Sequence, residues 1–317
     1  MAGGLNGPSD LDFRKDTGAT NELWVVNNTD DKVVKITNPG LPSQTVTVKK
    51  DSDNANLHFM HYPTGIAMGA ANAWGVCGEN DRSDHFMGPS LYSADFNVFG
   101  KSYGTGLGSH LDMLHATPFC MGITHVDQNR YWVFNGFYSS LDLYDFHVDH
   151  GPGNDDHSDG EIYRYASGEV KRLAGVPSHL VLDGTTLYVA DTGNKRVIAM
   201  NTASGTKDTK NINIVYGDPY LNMDNLAMFR EVHNATITTI VAAGTLDRPS
   251  GLAIIGGKLW VTDNKTGKIH VFEKNGTPSA IYETGLVAGS LAGITSAPDG
   301  KIYFVDTKGS KVYRLDL

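Results

Sequence analysis

Imidazole and carboxylate groups are the side chains of this sequence best suited to chemistry, and they are unevenly spread. The chain has 12 histidines, with His58 and His61 in "HFMHYP" and His110 and His115 in "SHLDMLH". Imidazole is the commonest protein ligand for zinc and copper. Two or three converging copies, with a water, form a centre that polarises a carbonyl or generates hydroxide. A second concentration, "HVDHGPGNDDHSDG", runs from His147 to Gly160. Within it His150, Asp155, Asp156 and His157 make a candidate clamp for calcium or a transition ion, without the EF-hand pattern. Each cluster also has a structural reading. H-x-x-H spacings are frequent by chance, and Gly-Pro-Gly followed by Asp and Ser is ordinary turn chemistry. "SHLDMLH" also reads as a short helix burying Leu111 and Leu114.

A further histidine stands out by alignment. The stretches "GPSDLDF", "YPTGIAM", "FCMGITH", "VPSHLVL", "RPSGLAI" and "LAGITSA" are copies of one pattern. At the matched position they carry Asp10, Gly65, Gly122, His179, Gly251 and Gly293. Each copy leads into an alternating apolar strand and an Asn/Asp/Gly/Lys turn, as in "LYVADTGNKRV" and "LWVTDNKTGKI". Period-two alternation with such turns predicts hairpins, and hairpins need stacking to bury their faces. Six such units predict an all-β, six-bladed β-propeller of four-stranded antiparallel blades. The prediction is one domain over residues 1–317, with blades starting near 8, 63, 120, 177, 249 and 291. The two ionisable exceptions to glycine then sit three blades apart, on opposite sides of the channel. They are either a satisfied plug or a pair that orients a water, a proton or a metal.

Composition supports this frame. Hydrophobic residues make up 40% of the 317 and charged residues 19%, enough for a core and unlike a disordered chain. The 36 glycines suit many tight turns. A net charge of -9 offers no basic field for nucleic acid. No apolar run is long enough to predict a membrane span. The opening "MAGGLNGPSD" predicts no signal peptide, so a periplasmic or secreted location requires a leader already removed. Cys77 and Cys120 permit one bridge across blades two and three, or two buried thiols. The terminal "KVYRLDL" reads as a third strand of blade six, leaving that blade three-stranded or completed from upstream.

The repeat, in the form "VPSHLVLDGTTLYVADTGNKRV", resembles the NHL family over nearly the whole chain, least between Asp81 and Leu114. The resemblance implies a six-bladed propeller of a kind that serves both as enzyme and as binding platform, so fold alone does not choose. In the similar peptidyl-hydroxyglycine amidating lyases, zinc histidines directly follow the Pro. In gluconolactonase-like propellers, metal-binding Asn and Asp occupy that place. Here the matched residues are Ser9, Thr64, Met121, Ser178, Ser250 and Ala292, and neither metal site carries over.

Antiparallel connectivity sorts polar residues by face. The first face, where each inner strand begins, collects His61, Tyr138, His179, Arg248 and the Asp191, Asp263 and Asp306 turns, with His110 and His115 on a capping connection. The His147–Gly160 loop falls on the opposite face. Two functions follow. One is a metal-assisted lyase or hydrolase, with zinc or copper on His61, His110, His115 and His179, and with His179, Asp10, Tyr138 and Arg248 acting on a small molecule or peptide. The other is a non-catalytic propeller that recognises a peptide, glycan or protein. No feature specifies an oligomeric state. "GTGLGS" lacks the strand and Lys-Ser/Thr of a nucleotide loop, and no G-x-S-x-G elbow is present. Between blades four and five, Leu226, Phe229 and Val232 at helical spacing predict an insertion that packs on the propeller or forms a lid.

Overall fold

The computed structural model describes residues 3–15, 21–52, 60–81, 88–104, 106–154, 156–212 and 226–317. Six sheets form the blades, each with an antiparallel set of up-and-down strands at its core. Blade one holds β1 (Pro8–Phe13), β2 (Glu22–Asn27), β3 (Lys32–Thr37) and β4 (Thr45–Lys50). Blade two holds β5 (Pro63–Met68), β6 (Ala73–Gly78), β7 (Ser90–Ser93) and β8 (His110–Met113). Blade three is built on β9 (Cys120–His125), β10 (Arg130–Asn135), β11 (Ser140–Asp145) and β12 (Glu161–Tyr165). Blade four begins with β13 (Leu180–Asp183), β14 (Thr186–Asp191) and β15 (Arg196–Asn201). It is completed, after β16 (Thr206–Lys207) and β17 (Met228–His233), by β18 (Ile237–Val241). Blade five holds β19 (Pro249–Ile255), β20 (Lys258–Asp263), β21 (Lys268–Phe272) and β22 (Pro278–Glu283). Blade six holds β23 (Leu291–Ser296), β24 (Ile302–Asp306) and β25 (Lys311–Leu315). The inner strands β1, β5, β9, β13, β19 and β23 neighbour one another in a closed ring, so the fold is a six-bladed propeller.

Glycine recurs on the inner strands because adjacent backbones nearly touch there. A Cβ on Gly122 would strike the Ser178 carbonyl, one on Gly251 the Ala292 carbonyl, and one on Gly293 Asp10. The glycines of blades three and six thus leave the room that His179 and Asp10 occupy in blades four and one. The small hydroxyl after the Pro has a matching task. Ser9 donates to the Pro63 carbonyl at 2.6 Å, Thr64 to Cys120 at 2.7 Å and Ser250 to Pro177 at 2.8 Å. These bonds link neighbouring blades with a side chain too short to need ordering.

Two blades depart from four strands. In blade three, β17 pairs parallel with β12, and β16 pairs with β17, extending the sheet to six. The segment read as helical is therefore a strand. Phe229 and Val232 lie on its opposite sides and pack into different cores, one between blades two and three and one between blades three and four. Only Phe229 and Val232 of this strand are buried, one on each face, so its buried residues have a spacing of three that resembles a helix. Blade six has three strands among the described residues. Side chains close the ring there. Thr307 donates to the Pro8 carbonyl at 2.7 Å, Tyr303 to Pro39 at 3.1 Å, and the Gly7 N–H to Ser310 Oγ at 3.1 Å. Phe13 meets Tyr303 edge to face at 5.2 Å.

Candidate functional site

Asp10 and His179 face each other across the propeller axis. Their inward direction follows from strand alternation, and their reach from the absent side chains of the glycines beside them. His179 Nδ1 lies 3.4 Å from Asp10 Oδ1, and its Nε2–H donates to the Thr64 carbonyl at 2.9 Å. Asp10 Oδ2 accepts the Ile66 N–H at 3.0 Å. With Nε2 protonated, Nδ1 and Oδ1 are both lone-pair atoms, so one proton must sit between them for the pair to be favourable. Burial pushes the Asp10 carboxyl up to about 6, against the lowering pull of His179 and two backbone N–H groups, with Asp12 adding slightly to the rise. The pair forms the floor of a cavity of about 210 Å³. Its walls come from all six inner strands, and its rim carries Asp12, Lys15, His125, Thr295 and Ser296. Burial lowers the His125 ring, and its Nε2 lies 2.9 Å from the Gln128 carbonyl. The rim residues lie late on the inner strands, so the well opens at the face opposite the one expected.

A carboxyl that keeps its proton to higher pH when folded adds stability that is complete below its unfolded value of 3.8 and lost as pH rises through about 6. In Asp10→Asn the amide oxygen can keep the Ile66 N–H while the amide nitrogen donates to Nδ1 at every pH. This variant should lack the stability decline between about pH 4 and 6. At pH 8 it should exceed the parent by up to about 3 kcal/mol. Urea midpoints on both sides of that window measure the difference.

The other expected first-face groups do not join this pair. His61 Nδ1 bonds Asp31 Oδ2 at 3.0 Å and its ring stacks on Tyr62 at 3.8 Å. Tyr138 lies under the Arg164 guanidinium, 4.0 Å from ring centroid to Cζ. Arg248 borders a separate cavity between blades four and five, with Lys195 and Lys265. His115 gives its carbonyl to Tyr144 Oη at 2.9 Å. His110 is a correction of face. The segment read as a cap or helix is β8, a fourth strand, whose start lies at the opposite end of the blade. Both ring nitrogens of His110 are used there, against the Leu107 carbonyl at 2.7 Å and the Asn154 carbonyl at 2.9 Å. Thus His61, His110, His115 and His179 do not converge, and His58 lies outside the described residues.

The repeated Asp turns are likewise occupied. Asp191 accepts the Lys171 N–H at 2.8 Å and the Arg196 guanidinium at 2.7 Å, and Asp263 accepts the N–H groups of Asp247 and Arg248. Each fixes the chain entering its own blade. A buried acceptor for loop N–H groups explains the recurrence without a ligand.

On the second face the histidine-rich loop meets β8. Ligand atoms of Asp112, His150 and Asp159 lie within 4.8 Å of one another, the one such group of three among the described residues. The β7–β8 register shifts between His110, opposite Tyr92, and Asp112, opposite Leu91, and Asp112 meets the loop through His157. His157 Nδ1 bonds Asp112 Oδ1 at 3.0 Å, and His150 Nε2 bonds Asp159 Oδ1 at 3.0 Å. Burial pushes Asp112 up to about 6 despite the His157 hydrogen bond and charge. Burial alone would lower His150, but the Asp159 bond and the charges of Asp112, Asp159 and Asp156 outweigh it and raise it. Of the four residues expected here, His150 and His157 take part. Asp156 is exposed and closes a turn onto the Ser158 N–H, because its side chain faces solvent. Asp155 lies outside the described residues. Asp112, about forty residues upstream, carries no local sequence signal that links it to this loop.

No protein-family profile matches the chain, and no curated protein is similar to it. Solved structures match it in shape. Virginiamycin B lyase from Staphylococcus aureus, an inactive variant with quinupristin, superposes at a TM-score of 0.56 and 12% identity, over 100% of this chain and 83% of that one. The luciferin-regenerating enzyme gives 0.56 at 13% identity, over 98% and 92%. A nidogen/laminin complex gives 0.55 at 12% identity, over 88% and 80%. The likeness is one of fold. It spans enzymes and a binding assembly, so the function rests on the chain's own residues.

Proposed function

We propose that this chain is an NHL-like propeller whose axial well takes a small polar molecule, or the polar end of a larger one. Asp10 and His179 then move a proton on it in a lyase- or hydrolase-type reaction. The observation that carries this reading is the buried acid–imidazole pair at the floor of a cavity walled by all six inner strands. Burying two ionisable groups is costly, and apolar residues of similar volume would plug the channel at least as well. A carboxyl held near 6 suits proton transfer at neutral pH. The shared proton between Oδ1 and Nδ1 can go to a leaving oxygen, or the pair can take one from water or a carbon acid. The well is smaller than the roughly 300–1,000 Å³ of drug-sized sites, which favours a compact substrate. A metal-assisted version would need donors that His61, His110 and His115 do not bring to the axis. A second reading, a platform for a peptide, glycan or protein, is favoured by exposed Tyr62 and Phe137 on the first face.

The test is a screen of small lactones, esters, hydroxy acids and amides for turnover, with binding followed by ligand-observed NMR. Asp10→Asn and His179→Gln should lower turnover of any hit at least about 100-fold, as expected for loss of a general acid or base. Ser296→Trp, which obstructs the mouth, should abolish binding. Turnover and binding unchanged in all three variants would remove the axial well as the site.

A further inference from the structure

We propose that Asp112, His150 and Asp159 bind one divalent transition-metal ion of the zinc class, fastening the loop between β11 and β12 onto β8 of the neighbouring blade. This site is separate from the axial well and does not depend on it. The three ligand atoms already lie within 4.8 Å of one another. One side chain is poised in a way the fold does not otherwise explain. Asp112 is 1% exposed, and its Oδ1 accepts the His157 ring and the Met113 N–H at 2.6 Å. Its Oδ2 is buried with no hydrogen-bond partner among the described residues. An unsatisfied buried carboxylate oxygen is expensive, and a cation is the partner that removes the cost.

The surroundings fit ligation. His157 fixes Asp112 through Oδ1, as an outer hydrogen bond commonly orients a metal-binding carboxylate. Asp159 holds the loop through the Val148 N–H at 3.2 Å, and Asn154 turns its carbonyl to His110. The donors choose the ion. One imidazole nitrogen with two carboxylate oxygens suits a four- or five-coordinate first-row ion completed by water. Calcium would need six to eight oxygens, whereas one of the three donors here is the His150 imidazole nitrogen.

The experiment uses the whole chain, stripped with a chelator and titrated with Zn²⁺ against a competing fluorescent chelator, with melting temperature read in parallel. The parent should bind one Zn²⁺ and melt higher with it. His150→Ala and Asp159→Asn, both on the loop, should each weaken binding at least about 100-fold and lose the melting shift. His233→Ala, an exposed histidine outside the cluster, should bind as the parent does. Asp112→Asn tests the buried ligand, and the two loop variants answer the question even if it fails to fold. No Zn²⁺ binding at tens of micromolar, equal binding in the loop variants, or a melting shift with Ca²⁺ alone would each overturn the proposal.

Discussion

Arg164→Met should lower the stability of the folded chain by about 3–5 kcal/mol, the cost of leaving a buried charge without its partner. Arg164 and Asp142 lie inside blade three, 4% and 0% exposed, bonded through the guanidinium Nε and Nη2 at 2.9–3.2 Å. Every other acceptor position is filled. Ser140 Oγ donates to Asp142 Oδ1 at 2.7 Å and Asn135 Nδ2 to Oδ2 at 2.9 Å, while Arg164 also reaches the Ala116 carbonyl at 3.0 Å. The Tyr138 and Phe229 rings cover the guanidinium. Removing Arg164 strands a carboxylate where water cannot reach it. Replacing both partners, as Arg164→Met with Asp142→Leu, should restore much of the loss, because the charge is removed along with its partner. Chemical denaturation of the two single variants and the double variant measures the coupling. Equal losses in all three would mean that packing, not charge, dominates there.

The second large effect concerns the bridge between Cys77 on β6 and Cys120 on β9, whose Cα atoms lie 5.7 Å apart. It spans a sequence separation of 43 and ties blade two to blade three. Closing a loop of that length restricts the unfolded chain by about 4 kcal/mol on the chain-entropy account. The double variant Cys77→Ala, Cys120→Ala should therefore unfold at a lower denaturant concentration by a corresponding amount. Reducing agent should shift the parent toward the variant and leave the variant unmoved. The enclosed segment is the part where the repeat pattern is weakest, so the covalent tie acts where β7 and β8, at four residues each, give the shortest ladders of the blade. A shift below about 1 kcal/mol would mean that blade packing already restrains that loop.

Much of the architecture was legible because a propeller repeats its local chemistry. The Pro-hydroxyl-Gly pattern marks the inner strands, and the misfits Asp10 and His179 align to opposite blades. What escaped was set by tertiary placement. His110 reads as part of a loop, yet pairing with β7 makes β8 the fourth strand of its blade and puts its start on the other face. Asp112 was invisible as a member of the loop cluster because strand pairing, not sequence proximity, brings it there. The Asp turns looked like a recurrent binding surface, whereas Asp191 and Asp263 are consumed by the N–H groups of entering loops. Segment β17 reads as helical because its two buried residues, Phe229 and Val232, sit three apart, one on each face.

That last element bears on how the chain acquires its shape. Blade three ends its own run at Tyr165, but the strand that pairs along β12 begins only at Met228, about sixty residues later. During synthesis the third blade must wait with an open edge while most of the fourth is made, and a parallel partner cannot arrive through a simple hairpin. Long-range pairing of this kind is slow relative to hairpin closure. Completion of blade three is thereby expected to be tied to synthesis of blade four. A nascent chain stopped before Met228 should expose that edge to neighbouring chains, and one extended past Val241 should not.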